Sequence, residues 1–449
     1  MLLEFKAKNY KSFKEELVFS MIPAPKQKGL DYSILNQKIG SKKYKGLCSA
    51  VIYGPNASGK TNIIGAMEVF KSIILRGNIR NSDDKNDIPN VAVNKLELIP
   101  NSTATVQSPV EFSIKFIEDN LLIQYDLSID IGDFLGVDYP RNILFEALTI
   151  NENLIFSRKE KLDFGALKVI KNYLVNDFAE NSISAFNLAK SNLNHEELFL
   201  TNGFKAMFSA KLVNLIMNWL NIKFIVIYRA DAVSLTKKFS ETKKQTVYIE
   251  KTTNDAAHLF GINSNAIGYM VSEDEPEGKL FSIFKNKGAA ISAEMFESYG
   301  TIRFVNMFPL VVKVILNGGT LVIDELDASL HPMAIMNIIN IFHNDEINKK
   351  KAQLIFNTHN PIFLNSNLFR RDEIKFVERN DETHCSTHYS LSDFGTAGVK
   401  GVRKHEDYMS NYFVNQYGAI KDIDFTPIFE SLLDNSKEEE SSNDKNEDQ

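Results

Sequence analysis

The clearest chemical signal is a glycine-rich stretch about fifty residues into the chain. It comprises Gly54, Pro55, Asn56, Ala57, Ser58, Gly59, Lys60, Thr61 and Asn62. The spacing G-x-x-x-x-G-K-[ST], after the apolar run LCSAVIY and before a helical pattern, predicts a phosphate-binding loop whose N–H groups bind anionic oxygens. In that interpretation Lys60 neutralises the β- and γ-phosphates of ATP, and the Thr61 hydroxyl holds Mg²⁺. The alternative is a turn of small residues between a strand and a helix.

A pair of acids follows a second apolar run, Leu321-Val322-Ile323. Asp324 and Glu325 would lie at the carboxyl end of a strand, which is where α/β folds bind ligands. Asp324 is predicted to support Mg²⁺, and Glu325 to polarise the water that attacks the phosphate. An apolar strand that ends in acids is common, so the pair predicts hydrolysis only in combination with the phosphate loop.

Three shorter patterns lie on either side of the acid pair. They are Glu297-Ser298-Tyr299-Gly300-Thr301-Ile302-Arg303-Phe304, Leu326-Asp327-Ala328-Ser329-Leu330-His331-Pro332 and Phe356-Asn357-Thr358-His359-Asn360. His359 ends an apolar run, where an imidazole can contact the γ-phosphate or the water, although a lone histidine is more often a surface or capping residue. Ser298, the Gly300 amide and a helix N-terminus would make an anion site. The alternative for Ser298 is an ordinary helix cap.

The order of these motifs resembles that of ABC-type ATPase heads, including those of SMC and RecF proteins. That resemblance implies that Ser298, Gly300 and Thr301 form a signature presented to the ATP of a second subunit, and that Asp327 and Ser329 belong to a D-loop. The chain has no LSGGQ, and its variant ESYGT is similar to the AAA_15/AAA_21 branch. This branch includes the overcoming-lysogenization-defect (OLD) ATPases and the RloA- and AbiL-type phage-defence proteins. The opening FKAKNYKSF resembles the first strand of this branch, and the stretches RDEIKFVE, YSLSDF and YGAI resemble the RloA/AbiL subgroup.

Alternating strand and helix patterns occupy both ends of the chain. Residues 1–157 contain the phosphate loop and two antiparallel runs, VEFSIKFI and LIQYDLSIDI, whereas residues 291–434 contain the other motifs. Residues 158–290 are predicted to be a mainly helical insertion for dimerisation or effector docking, with loops and short elements over 236–279 and a hairpin at Lys287-Gly288. The resemblance therefore implies an α/β P-loop NTPase of the ABC-ATPase head type, with a mixed sheet and an antiparallel subsheet, interrupted by that insertion.

Composition excludes several classes of protein. The 449 residues carry a net charge of −6, and residues 435–449 account for −4 of it with six acids and two lysines, which is typical of a disordered tail. No global basic excess indicates a dedicated nucleic-acid binder, although a local basic patch stays possible. Two cysteines are too few for a disulfide framework. With no signal-peptide pattern and no stretch of eighteen apolar residues, we expect a cytoplasmic protein without membrane contact.

Three functions remain open at this stage. The first is an ATPase that closes as a homodimer, or a higher homo-oligomer, around two MgATP and acts as sensor or scaffold for a separate effector, such as a TOPRIM nuclease or an RloB-like protein, in anti-phage defence. The second is a DNA-repair ATPase of RecF or SMC type that binds DNA itself. The third is an OLD-type ATPase with its own nuclease. FVERNDE at 376–382 and Asp422-Ile423-Asp424 are weak candidates for the nuclease acids, and too little chain follows them for a nuclease fold.

Overall fold

Nineteen strands, seven α-helices of six or more residues and a further helical stretch at 426–433 are present in the part of the chain described by the computed structural model. That part is residues 1–433 without positions 26, 28, 81–95, 135, 137, 138, 177, 229–245, 263, 272–277 and 397–400, so the predicted acidic tail lies outside it. The strands are β1 Leu2–Lys8, β2 Leu17–Ser20, β3 Ile34–Ile39, β4 Lys42–Leu47, β5 Ser49–Tyr53, β6 Val110–Glu118, β7 Leu121–Asp130, β8 Asn142–Ile150, β9 Asn153–Arg158, β10 Leu162–Phe164, β11 Phe224–Ile227, β12 Thr246–Tyr248, β13 Ala266–Val271, β14 Lys279–Phe284, β15 Ala289–Ser292, β16 Thr320–Ile323, β17 Gln353–Asn357, β18 Ile374–Arg379 and β19 Ser386–Ser390. The helices are α1 Lys60–Arg76, α2 Phe178–Ser191, α3 Ala210–Asn218, α4 Lys251–Phe260, α5 Tyr299–Asn317, α6 Pro332–His343 and α7 Tyr408–Phe413.

Six strands form the core sheet, in the order β11-β16-β17-β5-β18-β19. Every neighbouring pair is parallel except the last, in which β18 and β19 run antiparallel. All residues of β5, β16 and β17 are buried, as expected for parallel strands covered on both faces. The carboxyl ends of these three strands meet at one edge of the sheet, and each leads into one of the predicted motifs.

A separate sheet of seven antiparallel strands, in the order β10-β9-β8-β7-β6-β1-β2, covers one side of the molecule. Helix α1 lies between it and the core sheet, because its apolar face shares one buried cluster with residues of both sheets. That face contains Ile63, Met67, Phe70 and Ile74, which are all buried, as the helical spacing predicted. The antiparallel pairing of β6 and β7 is also confirmed.

The opposite face of the core sheet packs on α5 and α6 in a second buried cluster. Among the described residues, α5 alone has the length (19 residues) and mean hydropathy (1.4) of a membrane-crossing helix. Its buried side chains, among them Phe304, Val311 and Val314, belong to this second cluster. We therefore interpret α5 as a core helix that covers the sheet.

The interval 158–290 contains less helix than the sequence pattern predicted. Helices α2 and α3 occupy its first part, but β11 then pairs along its whole length with β16 in the core sheet. Strands β12 to β15 follow as a four-stranded antiparallel sheet, in which β12 and β13 lie within the predicted loops and short elements of 236–279. Strand β11 escaped prediction because FIVI is only four residues long and follows a helical pattern without a break. The predicted hairpin is present and turns at Gly288, with φ +55°.

Candidate functional site

The phosphate loop connects the carboxyl end of β5 to the first turn of α1, the arrangement that the sequence predicted. Gly59 lies in the left-handed region, with φ +110°, and a Cβ there would lie 2.6 Å from the Ser386 Oγ and 2.7 Å from the Ser12 Oγ. A Cβ at Gly54 would lie 2.3 Å from the Val377 carbonyl oxygen. The close approach of other backbone and side chains at both ends of the loop therefore requires glycine.

Hydrogen bonds from residues outside the phosphate loop fix the position of its backbone and of the first turn of α1. The Ser386 hydroxyl donates to the Ser58 carbonyl at 2.5 Å, and the Asn62 side chain donates to the Ser12 Oγ at 2.8 Å. Asn56 and Ala57 are exposed at the top of the loop. The Ser58 hydroxyl is buried, and the structure shows no hydrogen-bond partner for it. A buried hydroxyl of this kind within a loop of N–H donors fits a site that binds an anion.

Lys60 is folded inside the loop. Only 5% of the residue is exposed, and its Nζ donates to the carbonyl oxygens of Gly54 at 2.8 Å and Pro55 at 3.0 Å. Burial lowers the pKa of Lys60 to about 8, against the opposing effect of nearby acids, of which Asp324 has the largest influence. The nearby acids therefore offset only part of the cost of burying the Lys60 charge, and a phosphate bound in the loop would stabilise that charge further.

Thr61 and Asp324 lie together, as predicted for a magnesium site. The Thr61 hydroxyl donates to the Asp324 Oδ1 at 3.1 Å, and Asp324 is 3% exposed. Hydroxyl and carboxylate oxygens are the ligands that Mg²⁺ prefers, and this ion is commonly held by one or two protein oxygens together with substrate phosphates. The donor set therefore fits Mg²⁺.

Asn357 positions both members of the acid pair, a role that the sequence analysis missed. Its Nδ2 donates to the Asp324 Oδ1 at 2.5 Å, and its Oδ1 accepts from the Glu325 backbone N–H. The residue is buried at the end of β17, next to β16. The sequence does show an asparagine at the end of the apolar run QLIF. The hydrogen-bond partners of Asn357, however, depend on which strands lie next to each other in the sheet.

Glu325 begins the turn that contains the D-loop residues. Its backbone is left-handed, with φ +51°, and its side chain is exposed. The Glu325 carbonyl accepts from the Ala328 N–H at 3.1 Å and from the guanidinium of Arg303 on α5. A left-handed glutamate is a strained conformation that neighbouring contacts must maintain, and such strain is concentrated at functional sites. Asp327 lies in the same turn, with its carbonyl accepting from Leu330.

The predicted signature forms the first turn of α5. Ser298 caps the helix, since its Oγ accepts from the Thr301 N–H at 3.1 Å, and the hydroxyls of these two residues are 2.9 Å apart. Gly300 packs on the D-loop, where a Cβ would lie 2.3 Å from the Ser329 carbonyl oxygen. The capping alternative for Ser298 is therefore confirmed, while the anion site at this helix N-terminus stays a prediction. Signature and D-loop form one continuous surface of the same subunit.

His359 follows β17 by two residues and is exposed. Partial burial of the ring lowers its pKa, the Lys60 cation acts in the same direction, and Asp327 and Asp324 oppose the shift. His359, Lys60, Asp324 and Asp327 therefore lie close enough at the edge of the core sheet for their charges to interact. A histidine with a lowered pKa is neutral at pH 7 and can donate or accept a hydrogen bond.

Gln107 and Gln124, the two candidates for the Q-loop glutamine of an ABC-type head, contact the seven-stranded sheet. Gln107 donates to Asp130 and to the Tyr139 hydroxyl, both at 2.8 Å, whereas Gln124 donates to Asp126 on its own strand. These hydrogen bonds connect neither glutamine to the phosphate loop.

One buried cluster in the described part of the chain could hold a metal ion with three His, Cys, Asp or Glu ligands, and it lies at the other end of β5. It consists of Cys48, His343 and Glu373. The Ser49 hydroxyl lies between two of them, donating to the Glu373 Oε1 at 2.6 Å and lying 2.9 Å from the His343 Nε2. These contacts satisfy the polar atoms without a metal. The weak nuclease candidates Glu378, Asp422 and Asp424 form no such cluster.

Comparison with known proteins identifies a family whose model matches most of the chain. The model of the family AAA_21, described as "AAA domain, putative AbiEii toxin, Type IV TA system", matches residues 49–365. No curated protein matches the chain in sequence. Among solved structures, the chain is similar to the SMC head domain from Thermotoga maritima, at 12% identity and a TM-score of 0.36 over 87% of this chain and 98% of that one. It is also similar to an Smc head domain with an extended coiled coil bound to the C-terminal domain of ScpA, from Pyrococcus furiosus, at 12% identity and a TM-score of 0.37 over 87% and 96%.

Proposed function

The chain belongs to the AAA_21 family of AAA domains, and from this premise we propose that it is an ATP-hydrolysing switch. Two copies would close around two MgATP, and hydrolysis would release the closure. The observation that supports this proposal most is the single hydrogen-bonded unit of Thr61, Asp324, Asn357 and the Glu325 backbone at the mouth of the phosphate loop. The unit joins a phosphate site, a magnesium site and a candidate base.

Residues of one copy would bind the nucleotide. The loop N–H groups and Lys60 would hold the phosphates, while Thr61 and Asp324 would hold Mg²⁺. When bound, Mg²⁺ supplies charge neutralisation on the phosphate oxygens. The Glu325 carboxylate would accept a proton from the attacking water, and Asn357 keeps that residue in place through its backbone N–H. Neutral His359 would contribute a hydrogen bond to the same region.

The surface around the signature favours a second copy as the partner. Ser298 is exposed, and two large side chains near it in sequence are exposed as well. Met295 is 83% exposed and Tyr299 is 57% exposed. Met333, directly after the D-loop motif, is 57% exposed. Exposed apolar side chains grouped next to a predicted anion site are typical of a protein interface. We infer that this face meets the phosphate loop of a second copy.

Control of a separate effector in anti-phage defence is the biological role that we propose for this switch. It is supported by the resemblance to RloA- and AbiL-type ATPases and by the absence, within the described residues, of a clustered set of acids that could hold nuclease metals near Glu378 or Asp422. The effector would then be a different chain, such as a nuclease, which the ATP-bound dimer restrains or activates.

Direct DNA binding of the RecF type has less support because several lysines that could form a basic patch are paired with acids. Lys11 pairs with Glu97 at 2.6 Å, Lys8 lies 3.8 Å from Glu111, and Lys42 contacts Glu152. Each of these three lysines therefore has an acidic partner that offsets its charge.

The test is the assembly state of the Glu325→Gln variant. This change should retain nucleotide binding but block hydrolysis, so we expect MgATP to convert the protein to a dimer, measured by light scattering after size exclusion. Wild-type protein should form the dimer only transiently. Glu382→Gln, at an exposed position, is the matched control and should behave as wild type.

Ser298→Arg separates the two halves of the proposed site. It should prevent MgATP-dependent assembly and turnover while the affinity for nucleotide in one copy changes little. Unchanged hydrolysis in Ser298→Arg would remove the signature assignment. A Glu325→Gln protein that remains monomeric with saturating MgATP would refute the paired arrangement itself.

A further inference from the structure

The signature motif begins with a buried acid that the proposed mechanism does not use. Glu297 directly precedes the helix cap Ser298, and only 7% of the residue is exposed. Its Oε1 accepts from the hydroxyls of Ser264 and Ser282, both at 2.8 Å, and both serines are buried. Its backbone N–H donates to the Ala293 carbonyl at 2.8 Å. The side chain and the backbone of Glu297 are therefore both fixed where the chain enters α5.

The two serines come from different segments of the four-stranded sheet. Ser282 is an inner residue of β14, where it pairs with Ile267 of β13 and with Ile291 of β15. Ser264 lies two residues before the start of β13. One carboxylate oxygen thus binds two segments of this sheet to the start of the signature. Because hydrogen bonds are directional, this contact fixes the angle of the chain at that point as well as its position.

Apolar and polar contacts continue the same attachment along α5. The ring of Phe304 on α5 stacks on that of Phe260 on α4, with centroids 4.4 Å apart and planes at 7°. The Tyr269 hydroxyl of β13 donates to the Asn306 Oδ1 of α5 at 3.2 Å. Helix α4, the four-stranded sheet and the first half of α5 therefore pack as one unit, and Glu297 joins them at the residue before the helix cap.

The beginning of α5 also contacts the turn that carries the candidate base. Gly300 packs against the Ser329 carbonyl, and the Arg303 guanidinium donates to the Glu325 carbonyl. The start of this helix is thus attached to the four-stranded sheet through Glu297 and to the catalytic turn through Gly300 and Arg303. A change in either attachment would alter the orientation of the residues that the proposed mechanism presents to a second copy.

An ordinary core contact does not explain why an acid occupies this position. Burying a carboxylate costs free energy that its hydrogen bonds only partly return, and a well-packed apolar side chain is often as stabilising. Buried ionic groups are of most use where one arrangement must be specified over others. The orientation of Ser298 is such a case, because the proposed contact with the ATP of a second copy depends on it.

We propose that Glu297 is a positioning residue for ATP hydrolysis, which ties the signature to the four-stranded sheet and sets the orientation of Ser298 toward the ATP of a second copy. This inference rests on the proposed dimeric ATPase and adds to it a residue that contacts no nucleotide. It gives the second part of the interval 158–290 a role in turnover, through the hydroxyls of Ser264 and Ser282.

Amide hydrogen exchange of the full chain without nucleotide tests the attachment itself, because it does not require dimerisation. In Glu297→Ala, residues 298–304 should exchange about tenfold faster or more, while β16 and β17 stay within about twofold of the wild type. Glu297→Gln keeps an acceptor oxygen, so the same residues should stay within about threefold of the wild type. Unchanged exchange in Glu297→Ala, equal acceleration in both variants, or acceleration throughout the core sheet would overturn the proposal.

Steady-state hydrolysis and equilibrium nucleotide binding separate positioning from a general structural role. Glu297→Ala should lower kcat about 30-fold or more, while the affinity of one copy for nucleotide changes less than about threefold. Glu297→Gln and the exposed control Glu382→Ala should keep kcat within about threefold of the wild type. Ser282→Ala should lower kcat about three- to tenfold, and this effect should largely disappear in the Glu297→Ala background, because both changes remove one hydrogen bond. Additive effects of the two changes, or a kcat of Glu297→Ala near that of the wild type, would contradict the proposal.

The assembly state distinguishes failure of this proposal from failure of the proposed function. When Glu297→Ala is added to Glu325→Gln, MgATP-dependent dimerisation should weaken about 30-fold or more, whereas added Glu297→Gln should leave it within about threefold. Equally strong dimers with and without Glu297→Ala would refute the positioning role alone. A Glu325→Gln protein that stays monomeric would refute the dimeric ATPase and with it the orientation toward a second copy, and hydrogen exchange would then decide whether Glu297 still ties α5 to the sheet.

Discussion

The buried amine of Lys60 makes nucleotide binding dependent on pH in a range where an ordinary lysine would not. Its pKa is lowered to about 8, chiefly by burial. Below that pH the amine carries the charge that phosphates require, and above it the charge is lost in the free protein. Bound phosphates favour the charged form, so binding above pH 8 must be accompanied by proton uptake. We therefore predict that raising the pH weakens nucleotide affinity.

The size of the effect follows from the fraction of Lys60 that is protonated. With a pKa of about 8, that fraction is about 0.76 at pH 7.5 and about 0.03 at pH 9.5, so affinity should fall about 25-fold. A lysine with the ordinary pKa of about 10.4 would lose only about a tenth of its charge over the same range. At pH 8.5 about 0.76 proton should be taken up per nucleotide bound. The phosphates of ATP are already ionised over this whole interval.

Equilibrium binding of ATP to Glu325→Gln at pH 7.5, 8.5 and 9.5 measures the change in affinity without hydrolysis. Calorimetry in buffers of different ionisation enthalpy measures the proton uptake. Lys60→Gln is the control, and its weak binding should vary less than twofold across the range. An affinity of Glu325→Gln that is level from pH 7.5 to 9.5, or the same slope after Lys60→Gln is added to that variant, would refute the reasoning.

Three other predictions concern the residues around the acid pair. Asn357→Ala should lower kcat about 100-fold while nucleotide affinity in EDTA changes less than threefold, measured by steady-state hydrolysis and equilibrium binding, because the residue orients both acids but contacts no phosphate site directly. Gly300→Ala should lower the free energy of unfolding by about 1 to 3 kcal/mol in urea titrations followed by Trp219 fluorescence, since the clash with Ser329 outweighs the helix preference for alanine; a more stable variant would contradict the packing. The pKa of His359 is lowered, so kcat should stay level as the pH falls from 8 to 7. The change His359→Gln should lower kcat about 10- to 100-fold without preventing MgATP-dependent assembly. A wild-type kcat that falls between pH 8 and 7 would show that the histidine titrates higher.

Local motifs made part of the site predictable. The phosphate loop is contiguous in sequence, so its strand-loop-helix context and the burial of the α1 face could be read directly from the order of residues. The positioning residues could not, because their partners are distant in the chain. Ser386 reaches Ser58 across 328 positions, and Asn357 reaches Asp324 across 33 only because β16 and β17 are neighbours. Strand order is set by tertiary packing, which the periodicity of one segment does not encode.

Because β11 pairs in the core sheet, the interval 158–290 is not one continuous insertion. It divides the interval into a helical group before residue 224 and a four-stranded sheet after residue 245, each with its own entry and exit. Exchange of the whole block with a relative would remove an edge strand from beside β16 and the backbone partner of the Asp324 N–H, the Ile227 carbonyl at 2.9 Å. Strand β11 therefore belongs with the core sheet, and the helical group before it packs in the same core, because Phe204 and Trp219 share one buried cluster with α1.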